Sequence, residues 1–363
     1  MWIWQQTNWP DFSYQAALIL PALENVVKSV APLTLLATEL DEKQRLTLES
    51  QVLLEEALAT AKIEGEMLDR ESVRSSIARQ LGIGITQQAS SKSAQAFVTV
   101  LLEAVRTATQ TLTEKQLFQW HQRMFIDKPI LYDMTIGDYR DETMQVLSGR
   151  HGRQIVHFQA ACVSHACVSA EMHAFLSWLN TKHQMSVYIK AAIAKFWFVS
   201  IHPFEDGNGR LSRMIAERTL VCSESGGLRL YSISQQIDQH KSDYYALLEQ
   251  CQKGSMDITP WIIWFLEQIA LAAQSSMTKL YKIRIAVLFW DRYRDVVFNP
   301  RQIKLIKRLL ETEDFADGIA RKKYKNLVKT TDITASRDLK NLCDKAVLIP
   351  VGAGRSLKYR LKI

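Results

Sequence analysis

The chain has 363 residues, 47% hydrophobic and 23% charged, with 14 Gly and 8 Pro. These are globular proportions; they exclude disordered, collagen-like and low-complexity classes and leave room for two to three domains of roughly 150 residues. The net charge of +7 is unevenly spread, since Lys282 to Ile363 holds twenty Lys and Arg against nine Asp and Glu, so this end suits either a polyanionic partner or a solvated basic surface.

The opening MWIWQQTNWPDF lacks the basic segment and apolar run of a secretory signal. The best apolar stretch, Ala191 to Ile201, is interrupted by Lys195 and Ser200 and falls short of the ~18 residues of a membrane span. Cys162, Cys167, Cys222, Cys251 and Cys343 are odd in number and lack CxxC spacing. The expectation is a reduced, cytoplasmic protein with no disulfide framework, zinc site or membrane contact.

Trp2, Trp4 and Trp9 read as packing residues of an N-terminal arm. From Gln44 to Glu64, apolar residues recur at three and four, predicting a helix closed by Gly65. Similar patterns predict helices over Thr113–Phe125, Val168–Asn180, Val187–Ile201, Gly209–Cys222, Lys241–Cys251 and Thr259–Ala273. One section departs from this period. Thr143–Ser148 and Gln154–Phe158 are strand-like runs around Gly149, Arg150, His151, Gly152 and Arg153, which predicts a β-hairpin with an open edge. After a long helical stretch ending near Trp290, a boundary at Phe298, Asn299 and Pro300 precedes three helices (Gln302–Leu310, Arg321–Val328, Thr334–Lys345). A hairpin, Val347–Pro350 and Leu357–Leu361, ends the chain. SRDLKNLCDKAVLIPVGAGRSLKYRL resembles a winged helix-turn-helix, with Ser336, Arg337 and Lys340 on the recognition helix and Arg355 and Lys358 on the wing.

The chemistry concentrates in SIHPFEDGNGRLSR, Ser200 to Arg213. Pro203 stops the preceding helix. Gly207 and Gly209 allow a tight turn into the next helix, whose free N–H groups make an anion site suited to phosphate. Arg210 and Arg213 share a face of that helix and could clamp a polyphosphate. Asp206 is a hard oxygen ligand for Mg²⁺, and His202 is the one base near neutrality in the loop. A base, a metal ligand, an anion nest and two cations are the parts of phosphoryl-type transfer.

HPFEDGNGRLSR matches the motif HxFx(D/E)GNGRxxR, and on it the chain resembles the Fic family, the likeness extending over about Thr113–Ala273. The N-terminal segment resembles the helical extension of a bacterial Fic group. The implied fold is mainly α: an N-terminal helical extension (1–110), a Fic core with a β-hairpin flap (111–280) and a winged helix-turn-helix (295–363). The implied reaction moves AMP from ATP, with Mg²⁺, to a Ser, Thr or Tyr hydroxyl of a target protein, releasing pyrophosphate. By motif position, His202 is the general base and Asp206 holds Mg²⁺ at the α- and β-phosphates. Gly207, Asn208 and Gly209 form the anion nest, Arg210 meets the outer phosphates and Arg213 the γ-phosphate. Phe204 is a buried anchor, Glu205 completes the nucleotide-binding loop, and Tyr245 with Tyr244 resembles pocket-lining tyrosines. Met144, Val146, Ile155 and His157 lie on the flap that would pair with the target strand.

Thr60 to Gly65 resembles the (S/T)xxxE(G/N) inhibitory signature of Fic proteins. Glu64 falls in the last turn of its helix, where the macrodipole disfavours an anion by ~0.3–1 kcal/mol, so a compensating cation is expected. The resemblance supplies Arg213, and the pair would restrain transfer. Two alternatives stay open: a Fic enzyme that transfers or removes another phosphate-containing group, and a nucleotide-sensing transcription regulator with DNA contacts at Arg337, Lys340 and Arg355. Composition decides neither DNA against protein as the partner of the basic end, nor monomer against homodimer.

Overall fold

The computed structural model describes residues 1–83, 90–126, 134–148, 154–222, 229–311, 315 and 317–362, and divides into two compact units, residues 1–277 and 278–363. In the first unit, an N-terminal arm precedes α1 (Ala16–Thr38), α2 (Glu42–Ile63), α3 (Arg70–Leu81), α4 (Lys92–Arg106) and α5 (Glu114–Met124). The arm is held by its tryptophans: Trp4 Nε1 donates to the Gln159 carbonyl at 2.6 Å, Trp9 Nε1 to Glu171, and Trp2 meets Phe158 edge-on. Then come β1 (Gln145–Ser148), β2 (Ile155–Gln159), α6 (His165–Asn180), α7 (Val187–Ile201), α8 (Asn208–Val221), α9 (Ile233–Gln239) and α10 (Lys241–Gln252). α11 (Thr259–Arg292) begins in this unit and ends in the second.

α7 explains the architecture of the first unit. Every residue from Ala191 to Ile201 is buried, the polar Lys195 and Ser200 included, so α7 forms the centre that other helices cover. Phe198, Ile201, Phe204, Leu211, Met214 and Ile215 share a core with Phe97, Leu101, Trp120 and Phe175. α2 starts on a capping box, Asp41 accepting from the Gln44 N–H at 2.8 Å. It ends on a Schellman turn: Gly65, at φ 77°, donates to Lys62 O and Glu66 to Ala61 O at 2.9 Å.

β1 and β2 pair antiparallel, Val146 opposite Phe158 and Ser148 opposite Ile155, with an irregularity between Val146 and Leu147. The turn residues Gly149 to Arg153 lie outside the described residues.

Two sequence expectations are corrected. Cys162 and Cys167 are joined by a disulfide, with Cα atoms 5.4 Å apart; a scan for CxxC spacing passes over a loop that folds back across five residues. α1 is long and apolar enough to cross a membrane by length and composition. Its Glu24 and Lys28, which pair at 3.2 Å, interrupt any single apolar run, and Leu18, Leu20, Val27 and Leu35 are exposed along it.

In the second unit, α12 (Pro300–Glu311), β3 (Ile319–Ala320), α13 (Arg321–Val328), α14 (Asp332–Asp344), β4 (Leu348–Val351) and β5 (Lys358–Leu361) form three helices and an antiparallel sheet ordered β3-β5-β4. Its own core includes Leu305, Ile306, Tyr324, Leu339, Leu342 and Leu348. The buried Asp338 carboxylate ties α14 to Arg301, Asn299 and Tyr324. Arg337 and Lys340 are exposed on α14. Lys358 is paired with Asp317, and the Arg355 side chain lies outside the described residues.

Candidate active site

The loop between α7 and α8 is built on strained backbone held by its own side chains. His202 caps α7 in the left-handed region, φ 52° and ψ 61°, a conformation that costs a non-glycine residue about 1–3 kcal/mol and persists where its surroundings fix it. Pro203 follows, and Gly207 caps α8 at φ 86°. Asn208 closes the loop, accepting from the Phe204 N–H at 2.9 Å and donating to the Phe204 carbonyl at 2.7 Å. Its side chain is therefore a brace of the turn, with its amide spent inside the loop. Phe204 is fully buried. Glu205 accepts from the Thr135 N–H at 3.2 Å and so anchors the loop's outer edge.

His202 Nδ1 lies 3.2 Å from the Val199 carbonyl. That contact requires a proton on Nδ1, which leaves the Nε2 lone pair available. Burial pushes the imidazole pKa down to about 4; the Val199 bond opposes this, Arg140 reinforces it, and Glu64 and Asp206 oppose it. The ring is neutral at pH 7.

Arg210 and Arg213 both point inward and are buried. Arg213 Nη2 donates to Glu64 Oε1 at 2.7 Å and to the Thr60 carbonyl at 3.1 Å. The Glu64 carboxylate lies over the first turn of α8, where a Cβ on Gly209 would collide with Oε1. It thus sits where a helix N-terminus holds an anion. Burial alone would raise the Glu64 pKa, but Arg213, Arg210 and Lys195 together hold it below the usual carboxylate value. The unfavourable charge at the end of α2 is compensated by α8.

The same turn supplies a second contact. Glu66, just past Gly65, accepts from Arg210 Nη1 at 3.2 Å. Arg210 Nη2 also reaches Asp206 Oδ2 at 3.3 Å, and its guanidinium lies 4.9 Å from the Phe125 ring centroid. Both arginines are therefore engaged by carboxylates from one Schellman turn. Even so, Arg213 Nε, Arg213 Nη1 and Arg210 Nε are buried without hydrogen-bond partners among the described residues. Buried guanidinium N–H groups left unmatched are costly, and they fit an oxyanion with several oxygens. The Asp206 carboxylate is half exposed. No group of three or more His, Cys, Asp or Glu suited to a metal occurs among the described residues, so a cation held by Asp206 would take its other ligands from a phosphate-bearing substrate or water.

Tyr244 is buried, its hydroxyl 3.0 Å from Lys195 Nζ, while Tyr245 is 42% exposed, and both feel the Glu64 and Arg213 charges. Lys195 is fully buried, bonded also to Ser212 Oγ at 3.2 Å, and burial drives its pKa far down. On the hairpin, Met144 and Val146 are half-buried and Ile155 is exposed. The His157 ring is already engaged, Nε2 at 2.5 Å from Ser148 Oγ and Nδ1 at 2.6 Å from Glu249. It ties the hairpin to α10.

Sequence reasoning missed His121. It is fully buried, accepts from the Gly137 N–H at Nδ1 (3.0 Å) and so donates from Nε2 to the Asp206 carbonyl (3.0 Å). Its ring stacks on Phe204 at 4.2 Å. Burial, which outweighs the Asp206 bond, pushes its pKa down to about 4. In the unfolded chain both histidines titrate near 6.5, so the unfolded state binds protons that the folded state refuses. Stability should accordingly fall as pH drops from 6.5 towards 4. His121→Phe should give a lower but flatter urea-denaturation profile over this range; an unchanged slope would show that His121 is not the group responsible.

Residues 2–83 match the model of a domain of unknown function, DUF4172, and residues 111–220 match that of the Fic/DOC family. The chain is 37% identical over 97 residues to a protein adenylyltransferase Fic of Aedes aegypti, and 37% identical over 93 residues to that of Drosophila virilis. These matches take in 26% and 25% of this chain and 18% of each relative. Among solved structures, a Fic family protein from Desulfovibrio desulfuricans G20 superposes with a TM-score of 0.58 at 19% identity, over 97% of this chain and 98% of its own. A Fic domain-containing signaling protein from Bacteroides thetaiotaomicron gives 0.53 at 20% identity, over 72% and 96%. The loop from His202 to Arg213 lies inside the segment that matches the Fic/DOC model, so residues 111–220 form a Fic domain.

Proposed function

We propose that this protein transfers AMP from ATP to a hydroxyl side chain of a protein, and that the turn after α2 restrains it. The observation that carries this reading is the set of unmatched guanidinium donors on Arg213 and Arg210, beside a neutral His202 whose Nε2 is free. A carboxylate already lies on the α8 N-terminus, at the place an anionic phosphate would take.

The residues divide the work as follows. Arg213 and Arg210 bind the outer phosphates and orient the α-phosphorus, and the first turn of α8 adds its N–H groups. Asp206 would hold Mg²⁺ arriving with ATP, and the ion when bound offsets phosphate charge. The target oxygen forms a bond to the α-phosphorus, the bond from that phosphorus to the β-bridging oxygen breaks, and pyrophosphate leaves with the electron pair. His202 Nε2 receives the hydroxyl proton. The hairpin presents the target segment by strand pairing, with Met144, Val146 and Ile155 along it. Tyr245 borders the nucleotide. Intact-mass analysis of the protein and of lysate proteins after incubation with MgATP tests the group transferred: an adduct of one AMP is expected, and an adduct of phosphate or none would overturn the reading.

Glu66 shares the restraint. Glu66→Gln should tighten MgATP binding about three- to ten-fold by calorimetry, because a surface-linked carboxylate competes for Arg210 with an energy of order 1 kcal/mol. Unchanged affinity would confine the restraint to Glu64.

The exposed Arg337 and Lys340 on α14 favour a second reading, in which the C-terminal unit is a winged helix that meets DNA phosphates. Arg337→Ala with Lys340→Ala should then lower the salt slope of DNA binding by about two. Binding that is absent at low salt would leave this face to a protein partner.

A further inference from the structure

Arg140 has a part in none of the roles above, yet it is 1% exposed. Its hydrogen bonds to the described residues all go to backbone carbonyls. Nε donates to His202 O at 2.7 Å and Nη2 to Ile201 O at 3.3 Å; Nη1 donates to both Glu142 O and Cys162 O. Its own N–H donates to Pro203 O at 3.0 Å. Glu142 lies just before β1 and Cys162 just after β2, so one nitrogen holds both feet of the hairpin while the other two hold the end of α7.

A buried cation is costly to desolvate, and a neutral amide, with two N–H donors, could meet only two of these four carbonyls. The charge itself has two uses at this position. It stands at the C-terminus of α7, where the helix dipole and the unpaired carbonyls favour a cation. It also adds to the burial that disfavours a proton on His202, against the Glu64 and Asp206 carboxylates.

We propose that Arg140 is the positioning residue of the transfer site: it fixes the left-handed His202 peptide and joins it to the two feet of the hairpin that receives the target. This rests on the reading of His202 as the base. The same positive charge adds to the burial that disfavours a proton on the imidazole. A strained residue is stable at the end of α7 because three bonds from Arg140, two from its side chain and one from its backbone N–H, lock the consecutive carbonyls of 201, 202 and 203.

The test compares Arg140→Gln and Arg140→Lys in a Glu64→Gly background. The Arg140 side-chain donors are taken up by backbone carbonyls, so MgATP affinity by calorimetry should stay within threefold in both. The transfer rate should fall at least 100-fold in Arg140→Gln and about tenfold in Arg140→Lys. The acid limb of the pH–rate profile should move up in Arg140→Gln and stay in place in Arg140→Lys, which keeps the charge. Equal losses of affinity and rate in both variants, with no movement of the limb, would overturn the proposal in favour of simple destabilisation. Should neither variant fold, NMR of the Glu64→Gly protein decides: an Arg140 Nε–H that is protected from exchange and shifts as His202 titrates supports it, whereas solvent-like exchange overturns it. A Glu64→Gly parent that transfers no AMP would sink the functional reading instead, while the NMR experiment would still judge Arg140.

Discussion

Glu64→Gly should raise incorporation of label from α-³²P-ATP, in the presence of Mg²⁺, by at least about tenfold over the wild type. The Glu64 carboxylate holds Arg213 at 2.7 Å and covers the first turn of α8. Removing the partly exposed Glu64 side chain leaves the buried Arg213 guanidinium without its carboxylate, at a cost of ~1–3 kcal/mol. A phosphate entering beside Arg213 recovers that energy, and each 1.4 kcal/mol recovered is about tenfold in affinity. The variant should therefore be less stable than wild type without nucleotide and gain more from MgATP in a thermal shift. Labelling at the wild-type level, in buffer and in lysate alike, would remove Glu64 from the account.

His202→Ala in the Glu64→Gly background should cost ~10²–10⁴-fold in transfer, the usual worth of a positioned general base, and leave MgATP affinity nearly unchanged. The ring offers a free Nε2 because Nδ1 is committed to Val199, and burial keeps it neutral with a pKa of about 4. Transfer by the Glu64→Gly parent should accordingly stay flat from about pH 8 down to about 5 and decline only below that, as the imidazole takes a proton. Residual transfer within tenfold of the parent would assign the proton to another acceptor.

How far the sequence could be read followed the range of the contacts involved. The loop from His202 to Arg213 is a local constellation, and its glycines, its proline and the spacing of its arginines each announce a backbone or a charge requirement. α7 was legible for the same reason, being apolar from Ala191 to Ile201 but for Lys195 and Ser200. His121, Arg140 and Lys195 were not, because each acts on a carbonyl or hydroxyl distant in sequence: His121 on Asp206, Arg140 on Cys162 and Ile201, Lys195 on Tyr244. Glu66 was overlooked although it stands two residues from Glu64; its role depends on the Schellman turn aiming both side chains at α8. β3, of two residues, carries no periodic signal, and it exists because β5 offers it an edge. α3 and α4 passed unread because their apolar residues are mixed with serines and alanines, which pack against neighbours as well as larger side chains do.

α2 is pinned partway along its length. The buried Glu56 carboxylate accepts from Ser232 Oγ at 2.7 Å and from the Ser234 N–H at 3.1 Å, fastening the helix to the start of α9. With a rise of ~1.5 Å per residue, Glu64 lies roughly 12 Å beyond this pivot and the Asp41 end roughly 22 Å before it. Beyond the pivot the short arm is fastened again, by Thr60 to Ser234 at 2.8 Å, by Lys62 to Asp238 at 2.7 Å and by Lys241 Nζ to the Ile63 carbonyl. The Glu64 carboxylate therefore rides on the stiffly held end of α2, and parting it from Arg213 at 2.7 Å means moving α9 along with it.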